Sequence, residues 1–296
     1  MEETFYHQVP EGIYHTRLSD YGPGIFALAP TKSYVKKSIG KGEWYVNGNR
    51  ANTCTLVSTG SLIEWRKPVE LPSRPYPLKL EIVYEDDFLV IINKPAGLVV
   101  SGNRHDTLEN AVFGQIQISS MEDSLPLARA IHRLDSATSG LVILAKTQTT
   151  RRLLGEMLER RELDKEYQAI VIGEMPQNGI LNEPVQGKEA VTRFETQRII
   201  PSLVSGKLSL VKLFPETGRT HQIRIHLSQA GFPILGDKLY GDPDFMLKHK
   251  GMFLCAVKVS FIHPVTGKEV ESQITPPAKF SRFMDGELRR WKKYGK

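Results

Sequence analysis

The chain contains only two cysteines, Cys54 and Cys255, in 296 residues. They lie far apart, so neither a disulfide framework nor a cysteine-based zinc site is encoded, and a reducing, cytoplasmic setting is the expectation. No apolar run approaches the length of a membrane span. The N-terminus, Met-Glu-Glu-Thr-Phe-Tyr-His-Gln, has neither the basic start nor the apolar core of a signal peptide, so a soluble protein with no membrane partner is expected. The glycine-rich motifs that cradle phosphates are also missing, which argues against a nucleotide cofactor. What is present is a hydrophobic content of 40%, enough for a real core, and a length that fits one large or two modest domains. Lys and Arg number 39 against 33 Asp and Glu, a formal net charge of +6. That excess favours a polyanionic partner without demanding one.

Pro68, Pro72, Pro75 and Pro77 interrupt a stretch with no periodicity, the composition of a semi-rigid linker. Two domains follow, 1–75 and 76–296. In the first, the lysine-bearing segment Tyr34 to Gly42 precedes Trp44 to Arg50, a β-ribbon pattern around an Asn47-Gly48 turn, and a short strand at Gly60 to Trp65. In the second, strands and helices alternate without regular βαβ repetition. Helical periodicity covers Leu108 to Ile118 and Thr149 to Leu163. Strands are expected at Tyr167 to Ile172, Val191 to Ile199, Leu208 to Phe214, Phe253 to Ile262 and Val270 to Thr275. Many strands with scattered helices predict an α+β domain on a mixed or mostly antiparallel sheet.

Chemistry concentrates at residues 131 to 147, Ile-His-Arg-Leu-Asp-Ser-Ala-Thr-Ser-Gly-Leu-Val-Ile-Leu-Ala-Lys-Thr. The run Leu141 to Ala145 is short, uncharged and partly β-branched, a buried strand entered from a loop. Asp135 therefore stands at a strand mouth, where sites tend to form. Taken alone it would be a turn or N-cap aspartate. A second constellation runs from Glu216 to Leu227, where Thr220 as N-cap and Gly231 as C-cap bound a short helix, His221 to Ala230, carrying Arg224. His221 and His226 are five residues apart, not four, and no Glu follows His221, so no metal site is expected.

The segment His132-Arg133-Leu134-Asp135-x-x-Thr138-Ser139-Gly140 resembles the signature of the RluA-type pseudouridine synthases. Thr217-Gly218-Arg219-Thr220-His221-Gln222-Ile223-Arg224, Lys165-Glu166-Tyr167 and Asn93-Lys94-Pro95-Ala96-Gly97 are similar to further motifs of that family, in the same order. The resemblance covers residues 80 to 296 and implies a curved central sheet crossed by an active-site cleft. It implies Asp135 as catalytic nucleophile, Arg224 as its ion-pair partner and Tyr167 as the ring that stacks on the target base. It also implies that Arg133 fills the gap left when a uridine flips out, and that His132, Thr138, Arg219 and His221 are RNA contacts. Lys94 is read as structural. The N-terminal region from 31 to 67 partly resembles the S-four-type RNA-binding module, although Gly22, Pro23 and Gly24 interrupt its usual opening helix. Two departures, Ser101-Gly102-Asn103-Arg104 and Leu254-Cys255-Ala256, bear on loop contacts and hence on which RNA is chosen.

The implied activity is isomerisation of uridine to pseudouridine in ribosomal or transfer RNA, by a monomer without cofactor, metal or protein partner. Asp135 either attacks the ribose carbon, abstracts the neighbouring ribose proton, or attacks the base. Two other readings stay open: a catalytically idle RNA-binding protein, and a hydrolytic glycosidase pairing Asp135 with Glu216 or Asp237 at roughly 5 to 10 Å. Arg151, Arg152, Arg160 and Arg161, with the run Arg289-Arg290-Trp291-Lys292-Lys293, are candidate backbone contacts.

Overall fold

The computed structural model describes residues 2–68, 75–242 and 250–295. Residues 69–74, which include Pro72 of the expected linker, lie outside the described residues.

The N-terminal unit comprises β1 (Glu2–Gln8), β2 (Thr16–Arg17), α1 (Leu18–Tyr21), α2 (Lys32–Lys41), β3 (Trp44–Val46), β4 (Asn49–Arg50), β5 (Leu56–Val57) and β6 (Leu62–Pro68). Strands β1, β6, β3 and β4 form one sheet in that order. Its core is aromatic: Trp44 and Trp65 are fully buried and stacked 5.6 Å apart, with Phe5 and Phe26 against them. Their indole N–H groups donate to Ser38 Oγ and Glu43 Oε2, as buried indoles require. Helix α2 starts where Thr31 accepts from the Tyr34 N–H and ends at Gly42 in the left-handed region. Asn47 and Gly48 both have positive φ, the tight turn that an Asn-Gly pair favours between two strands.

Beyond residue 75 come β7 (Glu81–Glu85), β8 (Leu89–Lys94), α3 (Leu108–Val112), β9 (Ser124–Ala130), β10 (Ser139–Thr147), α4 (Gln148–Glu159), β11 (Asp164–Ile172), β12 (Asn178–Leu181), β13 (Thr192–Ser202), β14 (Gly206–Pro215), α5 (Gln222–Gln229), β15 (Leu254–Ile262), β16 (Glu269–Gln273) and α6 (Lys279–Tyr294). The sheet order is β12-β13-β14-β11-β15-β10-β8-β7, with β16 on β15 and β9 on β10. All described pairings in it are antiparallel except β10 with β15. The fold is thus α+β on a mixed, mostly antiparallel sheet. Among the described residues no helix is long and apolar enough to cross a membrane.

Strands β8 and β10 read as unbroken apolar runs because both faces are covered. Val90, Ile92, Val142 and Leu144 pack with Leu108, Ala111 and Val112 of α3. Leu89, Ile91, Leu141 and Ile143 face Leu154 of α4. The helix expected to Ile118 stops at Val112, where Gly114 turns with φ +80° and the Gln115 side chain bonds Leu80 N and Leu78 O instead.

The parallel seam between β10 and β15 is only two residue pairs long, Ser139 with Cys255 and Gly140 with Ala256. Farther along, the same edge of β10 is taken by β9, from Leu144 paired with Ala130. The sheet therefore forks at β10, and residues 131–138 fill the fork. Gly140 makes the seam possible: its φ is +115°, and a Cβ there would lie 2.1 Å from the Ala256 carbonyl oxygen. Gly140→Ala is expected to cost about 2–4 kcal/mol in urea unfolding, from backbone strain plus the clash. Gly155→Ala, where a Cβ meets nothing within 4 Å, is the control and should be neutral or slightly stabilising. Equal stability of the two variants would show that the seam does not depend on this glycine.

Candidate active site

Asp135 sits in the fork, four residues before β10, with its side chain 19% exposed. Hydrogen bonds from three residues hold its loop. The Thr138 N–H donates to the Asp135 carbonyl, closing a turn over the buried Thr138. The Gly97 N–H donates to the Ser136 carbonyl, tying the loop to the end of β8. Lys94, fully buried, donates its ammonium to the carbonyls of Pro95, Leu98 and Ser136. Burial pushes that ammonium down to about 8, against the pull of Asp135. Lys94 therefore braces the loop through carbonyls rather than through an ion pair, the structural part read from the sequence.

His132 enters the fork from the other side. Between the seam with β15 and the pairing with β9, the Ile143 N–H has no ladder partner, and His132 Nε2 accepts it at 3.2 Å. A buried backbone donor needs such a partner. Burial, with the nearby Lys165, holds the His132 imidazole at about 4 despite an opposing bond to the Arg133 backbone. The ring is thus neutral and turned into the sheet at Nε2. Because its folded pKa lies below the unfolded value, the unfolded chain binds the extra proton between about 4 and the ordinary histidine range of about 6.5. Stability is complete above that window and falls as pH drops through it. His132→Asn, whose amide oxygen still accepts from Ile143, should lose less stability than wild type between pH 7 and pH 4.5 in urea titrations. Parallel losses would refute this role.

The partner of Asp135 comes from 89 residues downstream. On α5, Arg224 is 6% exposed and donates from Nη1 to Asp135 Oδ2 at 2.9 Å. The rest of its guanidinium forms a two-point fork on Asp237, Nε to Oδ2 at 2.7 Å and Nη2 to Oδ1 at 2.8 Å. Although burial opposes charge, these carboxylates raise the Arg224 pKa further, so it stays cationic. Asp237 feels the same opposition from burial, yet Arg224 and the N–H groups of Leu239 and Tyr240 hold it below the usual carboxylate range. Tyr240 completes the cluster: the Arg224 guanidinium lies 5.1 Å over its ring, and its hydroxyl meets His221 Nδ1 at 3.0 Å. His221 Nε2 is 3.5 Å from Asp135 Oδ1. The residue at the start of α5 is His221, with φ +58° and no side-chain cap, rather than Thr220.

Tyr167, on β11, faces the same cleft. Burial and the Asp135 charge push its hydroxyl well above the ordinary range, so it remains protonated. The cleft has a volume of about 1100 Å³, and Asp135, Tyr167, Arg224, Arg133, His132, Thr138, Arg219 and His221 all line it. Arg133 and Arg219 are exposed, Arg219 donating to the Glu189 carbonyl. His226 is buried, bonded to Thr192 Oγ1 and the Glu183 carbonyl. Sequence reasoning considered Asp237 only as a hydrolytic partner and missed Tyr240. The available signal was Gly236-Asp237, a turn pair, with Tyr240-Gly241 three residues on.

A paired carboxylate and guanidinium, an aromatic ring and exposed basic groups in an open cleft are the arrangement expected of an enzyme acting on a polyanion that carries a planar group. A sequence profile of the RNA pseudouridylate synthase family matches residues 88–229. The chain is 36% identical over 225 residues to the dual-specificity RNA pseudouridine synthase RluA of Haemophilus influenzae, covering 70% of this chain and 95% of that one. It is 33% identical over 279 residues to ribosomal large subunit pseudouridine synthase D of Vibrio cholerae, covering 83% and 84%. Among solved structures, human RNA pseudouridylate synthase domain containing 1 superposes with a TM-score of 0.57 at 24% identity, over 70% of this chain and 87% of that one, and shares the fold. The chain belongs to the RluA-type pseudouridine synthase family and is an RNA pseudouridine synthase, an isomerase.

Proposed function

We propose that this enzyme isomerises specific uridines in ribosomal or transfer RNA in the cytoplasm, with Asp135 as nucleophile on a uridine turned out of its strand. The observation that carries this is the single guanidinium of Arg224 joining Asp135, at the mouth of the cleft, to the buried Asp237. It presents one carboxylate to the substrate and retires the other. Attack on the ribose carbon breaks the bond to the base nitrogen and leaves a glycosyl ester; removal of the neighbouring ribose proton expels the same nitrogen and leaves a glycal with that proton on Asp135; attack on the base itself is the third route. In the first two the freed uracil turns in the cleft and carbon 5 displaces the Asp135 ester, or adds to the glycal as Asp135 returns its proton to the ribose, and the proton of carbon 5 passes to water. Tyr167, protonated and half-buried, offers its ring to the base and a neutral hydroxyl to the reaction, not a phenolate.

The hydrolytic reading weakens on the same geometry. Asp237 is engaged at both oxygens by Arg224, and Glu216 bonds Arg193 at 2.9 Å. Asp237 is thus not free to activate a water, and replacement of Glu216, bonded through one oxygen only, tests the remaining hydrolytic pairing. Arg133, Thr138, Arg219 and His221 supply RNA contacts in this proposal, while His132 contributes by holding the loop. The exposed lysines Lys32, Lys36, Lys37 and Lys41 of α2 support an RNA-binding part for the N-terminal unit.

The test is tritium release from carbon-5-labelled uridine in unmodified ribosomal and transfer RNA transcripts, followed by mapping of the modified position. Release from one of these RNAs is expected. Tight binding without release from any of them would overturn the substrate assignment.

A further inference from the structure

Most cations lining the cleft are already matched by carboxylates. Arg193 pairs with Glu216, Lys258 with Glu271 at 2.8 Å, and Arg224 with Asp135 and Asp237. Arg133 and Arg219 also line the cleft without a carboxylate but are exposed, whereas Lys165 is half-buried on β11 and its ammonium makes no hydrogen bond or ion pair with any of the described residues. Its sequence neighbours do not serve it, since Glu166 pairs with Lys212 at 3.0 Å and Asp164 is exposed.

A partly buried ammonium without an anion is unfavourable, and a chain that needs only the stem of that side chain has apolar alternatives. Burial lowers the Lys165 pKa accordingly, with no opposing carboxylate. An anion arriving in the cleft would offset that cost. The position of Lys165 says which anion. Lys165 and Tyr167 lie two residues apart on β11, about 7 Å along the strand, and both line the cleft. That is the kind of separation at which a nucleotide spans from its base across its ribose to its phosphate. The neighbouring His132 is neutral and already bonded, so it does not compete for the anion.

We propose that Lys165 binds a phosphate flanking the turned-out uridine, fixing the ribose over Asp135 while Tyr167 meets the base. This rests on the function proposed above. Lys165 then selects the flipped nucleotide, a role distinct from the sequence-blind backbone contact that exposed arginines such as Arg151 would offer.

Hairpins containing the mapped uridine, with the 5′ or 3′ phosphate replaced by neutral methylphosphonate and the adjoining 2′-hydroxyl removed, test this as a double-mutant cycle. The matching deoxy hairpin with normal phosphates is the reference, and the readouts are Kd and the single-turnover rate. Lys165→Gln is expected to lose about tenfold in affinity or rate on the normal hairpin, with the slope of log affinity on log salt reduced by about 0.7 to 1. Neutralising the phosphate that Lys165 contacts should cost wild type a similar factor and Lys165→Gln nothing further, while Lys165→Arg keeps most of the function. Losses that multiply independently at both phosphates would overturn the assignment, as would a Lys165→Gln variant changed only in thermal stability. Wild type that binds the natural hairpin without isomerising it would overturn the underlying function and this assignment together.

Discussion

Asp135→Asn is expected to abolish tritium release, by at least about 10⁴-fold at saturating enzyme, while RNA affinity and the urea midpoint stay close to wild type. The scale follows from what nucleophile removal costs enzymes that work through a covalent or proton-abstracting group. The substitution preserves shape: the asparagine oxygen still accepts from Arg224 Nη1 and the turn closed by the Thr138 N–H is backbone only. What disappears is the negative charge, without which neither an ester nor a glycal forms. Because Asp135 opens to the cleft rather than supporting the core, stability should change by less than 1 kcal/mol or so. The measurement is single-turnover release with enzyme in excess, beside a filter-binding titration of the same RNA. Residual activity within tenfold of wild type would remove Asp135 from the reaction and leave the family resemblance without its central residue here.

The legible parts of this molecule were those written by local periodicity and by contiguous motifs. Leu141 to Ala145 declares a two-faced buried strand by its lack of polar residues, and β10 contains it. The α5 helix was bounded to within a residue at each end, and the Asn47-Gly48 turn was plain from its dipeptide. The pairing of Asp135 with Arg224 is not local at all and came from resemblance of motifs. What could not be read depends on where distant strands meet. Nothing in residues 131–138 announces that β9 and β15 share one edge of β10, so the sequence offers His132 only as an RNA contact and not as the acceptor of the Ile143 N–H that it also is. Asp237 is likewise opaque: a Gly-Asp pair suggests a turn, which it makes through Leu239 and Tyr240, but not that its oxygens also hold a guanidinium 13 residues upstream. Helix α6, read from sequence only as a basic run, is fixed by Phe280, Phe283 and Met284 packing on Phe253 and Val257.

Arg224→Met should fail in two measurements that Asp135→Asn separates. Methionine matches the apolar stem of arginine but supplies no donors, so Asp237, almost fully buried, keeps its two backbone N–H bonds and loses its countercharge. Breaking a buried pair by removing one partner costs about 3–5 kcal/mol, because the remaining charge is stranded. The lower end is expected, since Asp135 retains access to solvent through the cleft. Activity should fall by at least about 10³-fold, because the group aimed at the reacting carboxylate is gone and its rotamer is released. The double variant Arg224→Met with Asp237→Asn distinguishes these effects. Removing the stranded charge should recover a large part of the lost urea midpoint and none of the lost rate. Arg224→Lys should resemble Arg224→Met in rate, as a single ammonium cannot hold two carboxylates with the three directed N–H bonds seen here. If the double variant instead regained activity, Asp237 would be a trap that Arg224 merely neutralises, and the guanidinium would have no part in presenting Asp135.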